Sequence, residues 1–434
     1  MISNEFTIAL PTKMKPHLVY VSAVKEQDAS FSKEYISKLR DILAFDLKVS
    51  GDVLPVGQSD LAEKILQSPD PFALSFWENK EPDYIVKLQV KNKSIFAVLF
   101  SIKTGQSFEL KKEHLCGALV SDRRMIHEMA DTLFEVITGH KGIASTRILY
   151  ALQVPTLSES ETVWKSEIWE ADYDGANQTQ VTSENSYCIC PVFLPKNRGS
   201  GNAQFLYVNY KNGQPKIFIS HFGKPQGESW IPLRGNQLLP TVSPKGDMLA
   251  FICDASGRAD LFVQPINQKN GLQGKPIRLY SFPNSVQASP TFSPDSRKIA
   301  FVSDKQGTPH IHLIDTPLPG MEKMPTPTTL TKKHKENSCP SWSPDGKKLA
   351  YSARISGIRQ IMIYDFIAKE EIQLTFSKYH KENPSWAPNS QHLIYNSVSS
   401  SSSELFMIHL KQRVEQKITQ GLGKKHYPAW GHQI

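Results

Sequence analysis

His310 and His312 stand two residues apart in the extended-looking run Pro309 to Ile314. That spacing puts both imidazoles on one side of a strand, where they could serve as two ligands of a divalent metal. A third ligand is not visible in the sequence, so the pair is expected to be a pair of exposed strand histidines, with no metal and no cofactor. The five cysteines are odd in number and irregularly spaced, which excludes a disulfide framework. Cys188 and Cys190 would lie on the same side of a strand about 7 Å apart, a poor separation for a bridge. Both are expected as core or channel-lining thiols. Neither a G-x-S-x-G nucleophile elbow nor an H-E-x-x-H zinc helix occurs, and there is no phosphate-cradling glycine-rich loop.

The elements that must carry these residues are set by a repeat. The run Pro340-Ser341-Trp342-Ser343-Pro344-Asp345-Gly346, followed by Leu349-Ala350-Tyr351, has counterparts beginning at Pro191, Pro240, Pro290, Pro384 and Pro428, with successive spacings of 49, 50, 50, 44 and 44 residues. A period near 45 residues with four strand-like runs in each period is the signature of a β-propeller. A four-stranded sheet has two faces to bury, so sheets pack face to face around an axis until the ring closes. Six anchor prolines predict six blades.

Within one period, Ser338 to Ser343 reads as strand A and Ser343 to Gly346 as a turn in which Pro fixes φ and Gly supplies a positive φ. Lys347 to Ala353 reads as strand B, Gln360 to Tyr364 as strand C and Glu371 to Thr375 as strand D. Phe193, Val242, Phe292, Trp342, Trp386 and Trp430, two residues after the anchors, are expected between neighbouring blades. Tyr150, Tyr207, Phe251, Phe301, Tyr351 and Tyr395 form a strand B column. Tyr150 precedes every anchor, and Pro428 has no strands after it. The strand His426 to Trp430 is therefore expected to complete a sheet begun by Arg147 to Gln153, Ser166 to Asp172 and Gln178 to Thr182, leaving no free edge between first and last blades.

The 434 residues exceed one propeller, and 39% hydrophobic content suits ordinary cores. Residues 17–140 read as an α/β domain, with a buried strand from His17 to Val24. A helical stripe follows at Tyr35, Ile36, Leu39, Ile42 and Leu43, and then a hairpin about Asn92. A second helix is expected from a capping Ser121 or Asp122 to Gly139. Residues 141–146 read as a linker to a propeller over residues 147–434. Residues 1–16 read as a tail in which Phe6, Ile8 and Leu10 alternate with Glu5, Thr7 and Ala9. Such a segment can add to a sheet edge, its own or a partner's. The net charge of +8 is spread along the chain, so no nucleic-acid partner is expected. No run of 18 apolar residues predicts a membrane span, and residues 2–6 are not a signal peptide.

The Thr138-Gly139-His140-Lys141-Gly142 join to Arg147-Ile148-Leu149-Tyr150, the stretch Asp172-Tyr173-Asp174-Gly175-Ala176-Asn177-Gln178, the Pro-x-Trp-Ser-Pro-Asp-Gly blades and the terminal Tyr427-Pro428-Ala429-Trp430 together resemble the TolB family. The resemblance runs from about Glu5 to the end. It implies a monomeric periplasmic component of the Tol-Pal envelope system, in which an α+β two-domain chain places an α/β domain before a six-bladed β-propeller closed by a C-terminal strand. It further implies that Met1 is not the start of the exported precursor. Its partners would be the peptidoglycan-associated lipoprotein Pal, at one mouth of the propeller channel, and TolA, through a tail here formed by Glu5, Phe6, Thr7, Ile8, Ala9 and Leu10. Membranes would be met through partners, and the role would be outer-membrane integrity and envelope constriction at division.

Each connection from strand D to the next strand A arrives just before an anchor proline. On the resemblance, the Pal-binding residues at this mouth are expected to be Asn236, Gln237, Leu239, Gln287, Ala288, Glu336, Asn337, Lys381, Glu382, Lys425 and His426. The positions three before each anchor are Cys188, Gln237, Gln287, Asn337, Lys381 and Lys425, a mostly polar set suited to an acidic or hydrogen-bonding partner. The departures Ala387-Pro388-Asn389-Ser390 and Gly431-His432, with the long loops Leu194 to Asn202 and Leu318 to Thr331, imply a partner surface of its own. A non-catalytic interaction protein is expected, against the alternative of a periplasmic propeller enzyme, a metal-dependent lyase or peptidase-like.

Overall fold

A computed structural model describes residues 15–26, 30–78, 80–157, 162–195, 203–267, 271–317 and 323–431. The expected tail Glu5 to Leu10, Gly431's neighbour His432 and parts of the two long loops lie outside the described residues. The chain divides between Ser145 and Thr146 into two compact units. Among the described residues no helix is long and apolar enough to cross a membrane.

The first unit is a mixed sheet with helices. Its strands are β1 (His17–Val21), β2 (Lys25–Glu26), β3 (Val53–Pro55), β4 (Tyr84–Lys91), β5 (Ser94–Ser101), β6 (Ser107–Glu109) and β7 (Glu113–His114), in the order β3-β1-β4-β5-β6, with β2 on β4 and β7 on β5. Strand β1 runs parallel to β3 and β4, and β4 and β5 form the expected hairpin. Asn92 and Lys93 take φ of 50° and 54° at its turn, the left-handed pair that matches strand twist. The helices are α1 (Lys33–Val49), α2 (Asp60–Leu66), α3 (Leu74–Trp77) and α4 (Leu119–Thr138). Ser32 caps α1 by accepting from the Tyr35 N–H, and the α1 stripe buries Ile36, Leu39, Ile42, Leu43 and Leu47.

Helix α4 corrects one expectation. It begins at Leu119, before Ser121 and Asp122, with Ala118 as an N-cap that offers no side chain. The Asp122 carboxylate turns back instead to accept from the N–H groups of Cys116 and Gly117, ordering the loop before the helix. Gly139 ends α4 at φ 74°, as its type requires.

The second unit is the six-bladed β-propeller. Strands A to D of blade 2 are Cys188–Phe193, Gln204–Asn209, Lys216–His221 and Glu228–Ser229. Those of blade 3 are Gln237–Val242, Met248–Cys253, Asp260–Asn267 and Ile277–Tyr280, and blade 4 has Gln287–Phe292, Lys298–Ser303, His310–Asp315 and Thr328–Thr329. Blade 5 has Ser338–Trp342, Lys348–Ile355, Ile358–Asp365 and Glu370–Gln373, and blade 6 has His380–Trp386, His392–Val398, Ser403–His409 and Glu415–Lys417. Blade 1 takes strands B to D from Arg147–Leu157, Thr162–Asp172 and Thr179–Gln180 and strand A from the far end, Lys424–Trp430. Trp430 fixes that closure by donating its Nε1–H to Thr146 Oγ1 at 2.8 Å.

Blades pack through the columns expected from the repeat. Tyr150, Tyr207, Phe251, Phe301, Tyr351 and Tyr395 are fully buried. Phe292 and Phe301 of blade 4 join Ala250, Ile252, Leu261 and Val263 of blade 3 in one cluster. Trp386 does the same against blade 5, and its Nε1–H reaches the Ser341 carbonyl at 2.9 Å. At the turns between strands A and B, Gly246 and Gly346 hold φ of 69° and 73°, while Ser296 and Ser390 take the same left-handed role at 62° and 58°.

Candidate functional site

Every strand A carries a bulge at its anchor proline. Register shifts fall between Ile189 and Val192, Leu238 and Thr241, Ala288 and Thr291, Ser338 and Ser341, Glu382 and Ser385, and His426 and Ala429. The residue before each proline is left-handed: Cys190, Leu239, Ser289, Cys339, Asn383 and Tyr427 have φ of 53°, 51°, 46°, 50°, 53° and 52°. Each such residue costs roughly 1–2 kcal/mol, less for Asn. The following proline disfavours the right-handed helical alternative, and the bulge bends the strand around the axis. With the six prolines these residues line a central cavity of about 160 Å³. Burial pushes the Cys190 and Cys339 thiols up, so both stay protonated, and all five cysteines are free.

The structure separates the expected rim residues into two groups. Gln237, Gln287, Asn337, Lys381 and Lys425 are at most 2% exposed. Gln237 accepts from the Ile217 N–H of blade 2 and donates to the carbonyls of Ile231 and Leu233. Asn337 donates to Thr331 Oγ1 and the His334 carbonyl. Lys381 Nζ reaches Ser397 Oγ at 3.1 Å and Glu415 Oε2 at 2.5 Å, above the rings of Tyr395 and Phe406. Lys425 Nζ bonds the Gly421 carbonyl at 2.9 Å and lies 3.2 Å from Glu404 Oε2. These side chains pin each strand A to its neighbours instead of facing solvent. The second group is half-buried: Asn236, Leu239, Ala288, Glu336, Glu382 and His426. Asn236 clasps Asp254 through its backbone and side-chain N–H groups, Glu336 pairs with Arg354 at 2.9 Å, and Glu382 lies 3.5 Å from Arg359. Burial, followed by the charge of Lys424, lowers His426 from 6.5 to about 4.

The sequence reading missed the most exposed features of this mouth. Phe282 and Val286 stand 40% and 53% exposed between blades 3 and 4, Phe376 and Tyr379 72% and 42% between blades 5 and 6, and Leu422 91% before blade 1. All five sit on strand D to strand A connections. Interspersed with them, Lys332, Lys333, Lys335 and Lys378 are exposed and make no ion pair among the described residues. Side chains just as exposed stand on the strand C to strand D turns, Ile367 at 73% and Val414 at 68%, so exposure by itself does not single out this rim; its lysines favour an acidic partner. The runs Phe282-Pro-Asn-Ser-Val286, Phe376-Ser-Lys-Tyr379 and Gly421-Leu422-Gly423 carried the signal, as large apolar residues inside turn-rich connections.

His310 and His312 do share one side of strand C of blade 4, but they are not exposed strand histidines. His312 is fully buried and His310 half-buried. Burial lowers His312 from 6.5 to about 4, so its imidazole is neutral at ordinary pH.

Comparison with known proteins follows the same lines. A family model described as the TolB beta propeller domain matches residues 134–434. A "Protein TolB homolog" of Protochlamydia amoebophila is 40% identical over 369 residues, covering 84% of this chain and 78% of that protein. One of Chlamydia pneumoniae is 38% identical over 358 residues, covering 81% and 75%. The crystal structure of TolB from Acinetobacter baumannii, 22% identical, superposes with a TM-score of 0.76 over 96% of this chain and 97% of that one. At that identity the likeness speaks to the fold.

Proposed function

This chain belongs to the TolB family, and from that membership we propose that it serves the Tol-Pal system of the cell envelope as a periplasmic, non-catalytic binding component. Its propeller binds the lipoprotein Pal at the mouth where the strand D to strand A connections converge. Its tail, Glu5 to Leu10, binds TolA by adding a strand to a sheet edge. One molecule then meets an outer-membrane and an inner-membrane partner, and occupancy by Pal alters the affinity for TolA.

The observation that supports this reading is the exposed apolar set Phe282, Val286, Phe376, Tyr379 and Leu422 among lysines on one rim. Aromatic and aliphatic side chains of this kind carry most of the energy at interfaces, while their charged surroundings steer encounter. The contact residues we propose are these five with Asn236, Leu239, Ala288, Glu336, Glu382 and His426. Gln237, Gln287, Asn337, Lys381 and Lys425 act behind them by holding the strands.

Calorimetric titration with the soluble domain of Pal from the same organism tests the assignment. Saturable binding is expected, weakened about tenfold or more by Phe376→Ser or Leu422→Ser. Binding that survives both substitutions together would move the site elsewhere. Removal of residues 1–14 should abolish TolA capture and leave Pal binding in place.

A further inference from the structure

Blade 1 differs from the other five in the length of its hairpin. Its strands B and C, Arg147–Leu157 and Thr162–Asp172, have 11 residues each and stay in register from Arg147 opposite Asp172 to Leu157 opposite Thr162. In blades 2 to 6 the same strands have six to eight residues. The repeat predicts an end to strand B at Gln153 and a start to strand C at Ser166, and the structure carries both strands beyond those points. The neighbouring strands do not follow. Strand A begins at Lys424, opposite Gln153, and strand D pairs only with Trp169 and Glu170. Residues 154–157 and 162–165 therefore rise as a two-stranded ribbon, about 14 Å long at about 3.4 Å per residue. It stands on the side of the propeller where the strand D to strand A connections converge.

The two edges of this ribbon are not alike. Ser166 donates its N–H outward to the Ser186 carbonyl, so two residues earlier Trp164 also turns its main-chain N–H and C=O away from strand B. Those two groups meet no backbone partner among the described residues. Pro155 stands opposite Trp164, faces outward on the other edge and has no N–H to offer. Proline at an outward position closes a strand edge to further pairing. One edge is thus blocked and the other open. A two-stranded ribbon is marginal in water by itself, and this one shows apolar surface on both faces, with Trp164 39% exposed on one and Val163 47% exposed on the other.

The foot of the open edge is basic and continuous with the rim. Lys424 Nζ lies 4.9 Å from the centre of the Trp164 ring, and Lys165 shares the face of Val163. Neither lysine makes an ion pair among the described residues. Gly423, between the exposed Leu422 and Lys424, is pressed against the ribbon: a Cβ there would stand 2.7 Å from the Gln153 carbonyl oxygen and 3.0 Å from the Val154 side chain.

Building on the reading of this mouth as the Pal-binding surface, we propose that the strand C edge of the ribbon takes an extended, acidic segment of that partner as a third strand. Main-chain bonds at Trp164 hold the segment, and its alternate side chains meet Trp164 on one face and Val163 on the other. Acidic residues of the segment meet Lys424 and Lys165 at the foot.

Calorimetric titration of the whole chain with the soluble domain of Pal, repeated with variants, tests this. Trp164→Ala should weaken binding about tenfold or more, and Trp164→Pro, which also removes the outward N–H, about fivefold further. Pro155→Thr alters only the blocked edge and should leave the affinity unchanged. Because the Trp164 N–H has no partner within the propeller, the thermal midpoints should stay together. In the unaltered chain, hydrogen exchange at the Trp164 amide, followed by NMR, should slow about tenfold or more when Pal is bound. Exchange there unchanged by bound Pal would overturn strand addition, whatever the indole contributes, and full affinity in both Trp164 variants would leave Pal on the rest of the rim. Absence of binding by the unaltered chain would overturn the Pal reading and this assignment with it. Sedimentation of the chain alone covers the remaining case: dimers that Trp164→Pro dissolves would give the edge to a second copy.

Discussion

At the scale of single residues, the rim positions behave oppositely to their chemistry. Lys381 is polar and hidden, whereas Phe376 is apolar and 72% exposed. Lys381→Ala should therefore cost about 3 kcal/mol, because it leaves the Glu415 carboxylate without its partner beside two rings. Chemical denaturation measures that loss, and any variant still folded should bind Pal as before. Phe376→Ser should leave stability within about 0.5 kcal/mol, as ordinary surface changes do, and act on binding alone. His426 supplies a pH signature. Its value in the fold, about 4, lies below the ordinary 6.5, so acidification protonates the unfolded chain first. The stability it contributes is complete above about 6.5 and is lost as pH falls towards 4. A His426→Gln variant should show a flatter dependence of its thermal midpoint across that window.

At the scale of elements, the recurring unit is a strand that bulges at its proline. If the left-handed residue before each proline is a geometric requirement, Ser289, at φ 46°, should tolerate Asn and reject Val. Ser289→Val is expected to lose about 1–2 kcal/mol by calorimetry, and Ser289→Asn close to nothing. The blades were legible in the sequence because their period, their turns and the column from Tyr150 to Tyr395 all repeat along the chain. The bulges were not, since Cys190, Leu239, Ser289, Cys339, Asn383 and Tyr427 share a conformation and no side-chain type. Burial at the rim was hidden for a different reason. Gln237 bonds Ile217 across a blade boundary, and polar residues near a connection look alike whether they bond backbone or water. The exposure of Phe282, Phe376 and Leu422 was not legible, because sequence offers no view of which side of a connection faces solvent. Asp122 shows the same limit in the first unit: a carboxylate near a helix start reads as a cap until the loop it holds is seen.

At the scale of the whole molecule, the propeller is a ring whose first and last strands meet without a covalent link. Trp430→Ala removes an indole buried at that seam together with its bond to Thr146. It should cost about 3–5 kcal/mol, read as a lowered midpoint in thermal circular dichroism, with earlier aggregation as strand B of blade 1 loses its cover. The seam also bears on timing. The Trp430 to Thr146 bond spans 284 residues, so the partner of Arg147–Leu157 is among the last parts of the propeller to be made. Until that last strand reaches the compartment in which the chain folds, the ring cannot close. Through that interval one long strand keeps a row of unanswered backbone groups. A chain of this design therefore has a window of vulnerability that closes only when its last strand arrives, which a holding chaperone would have to cover.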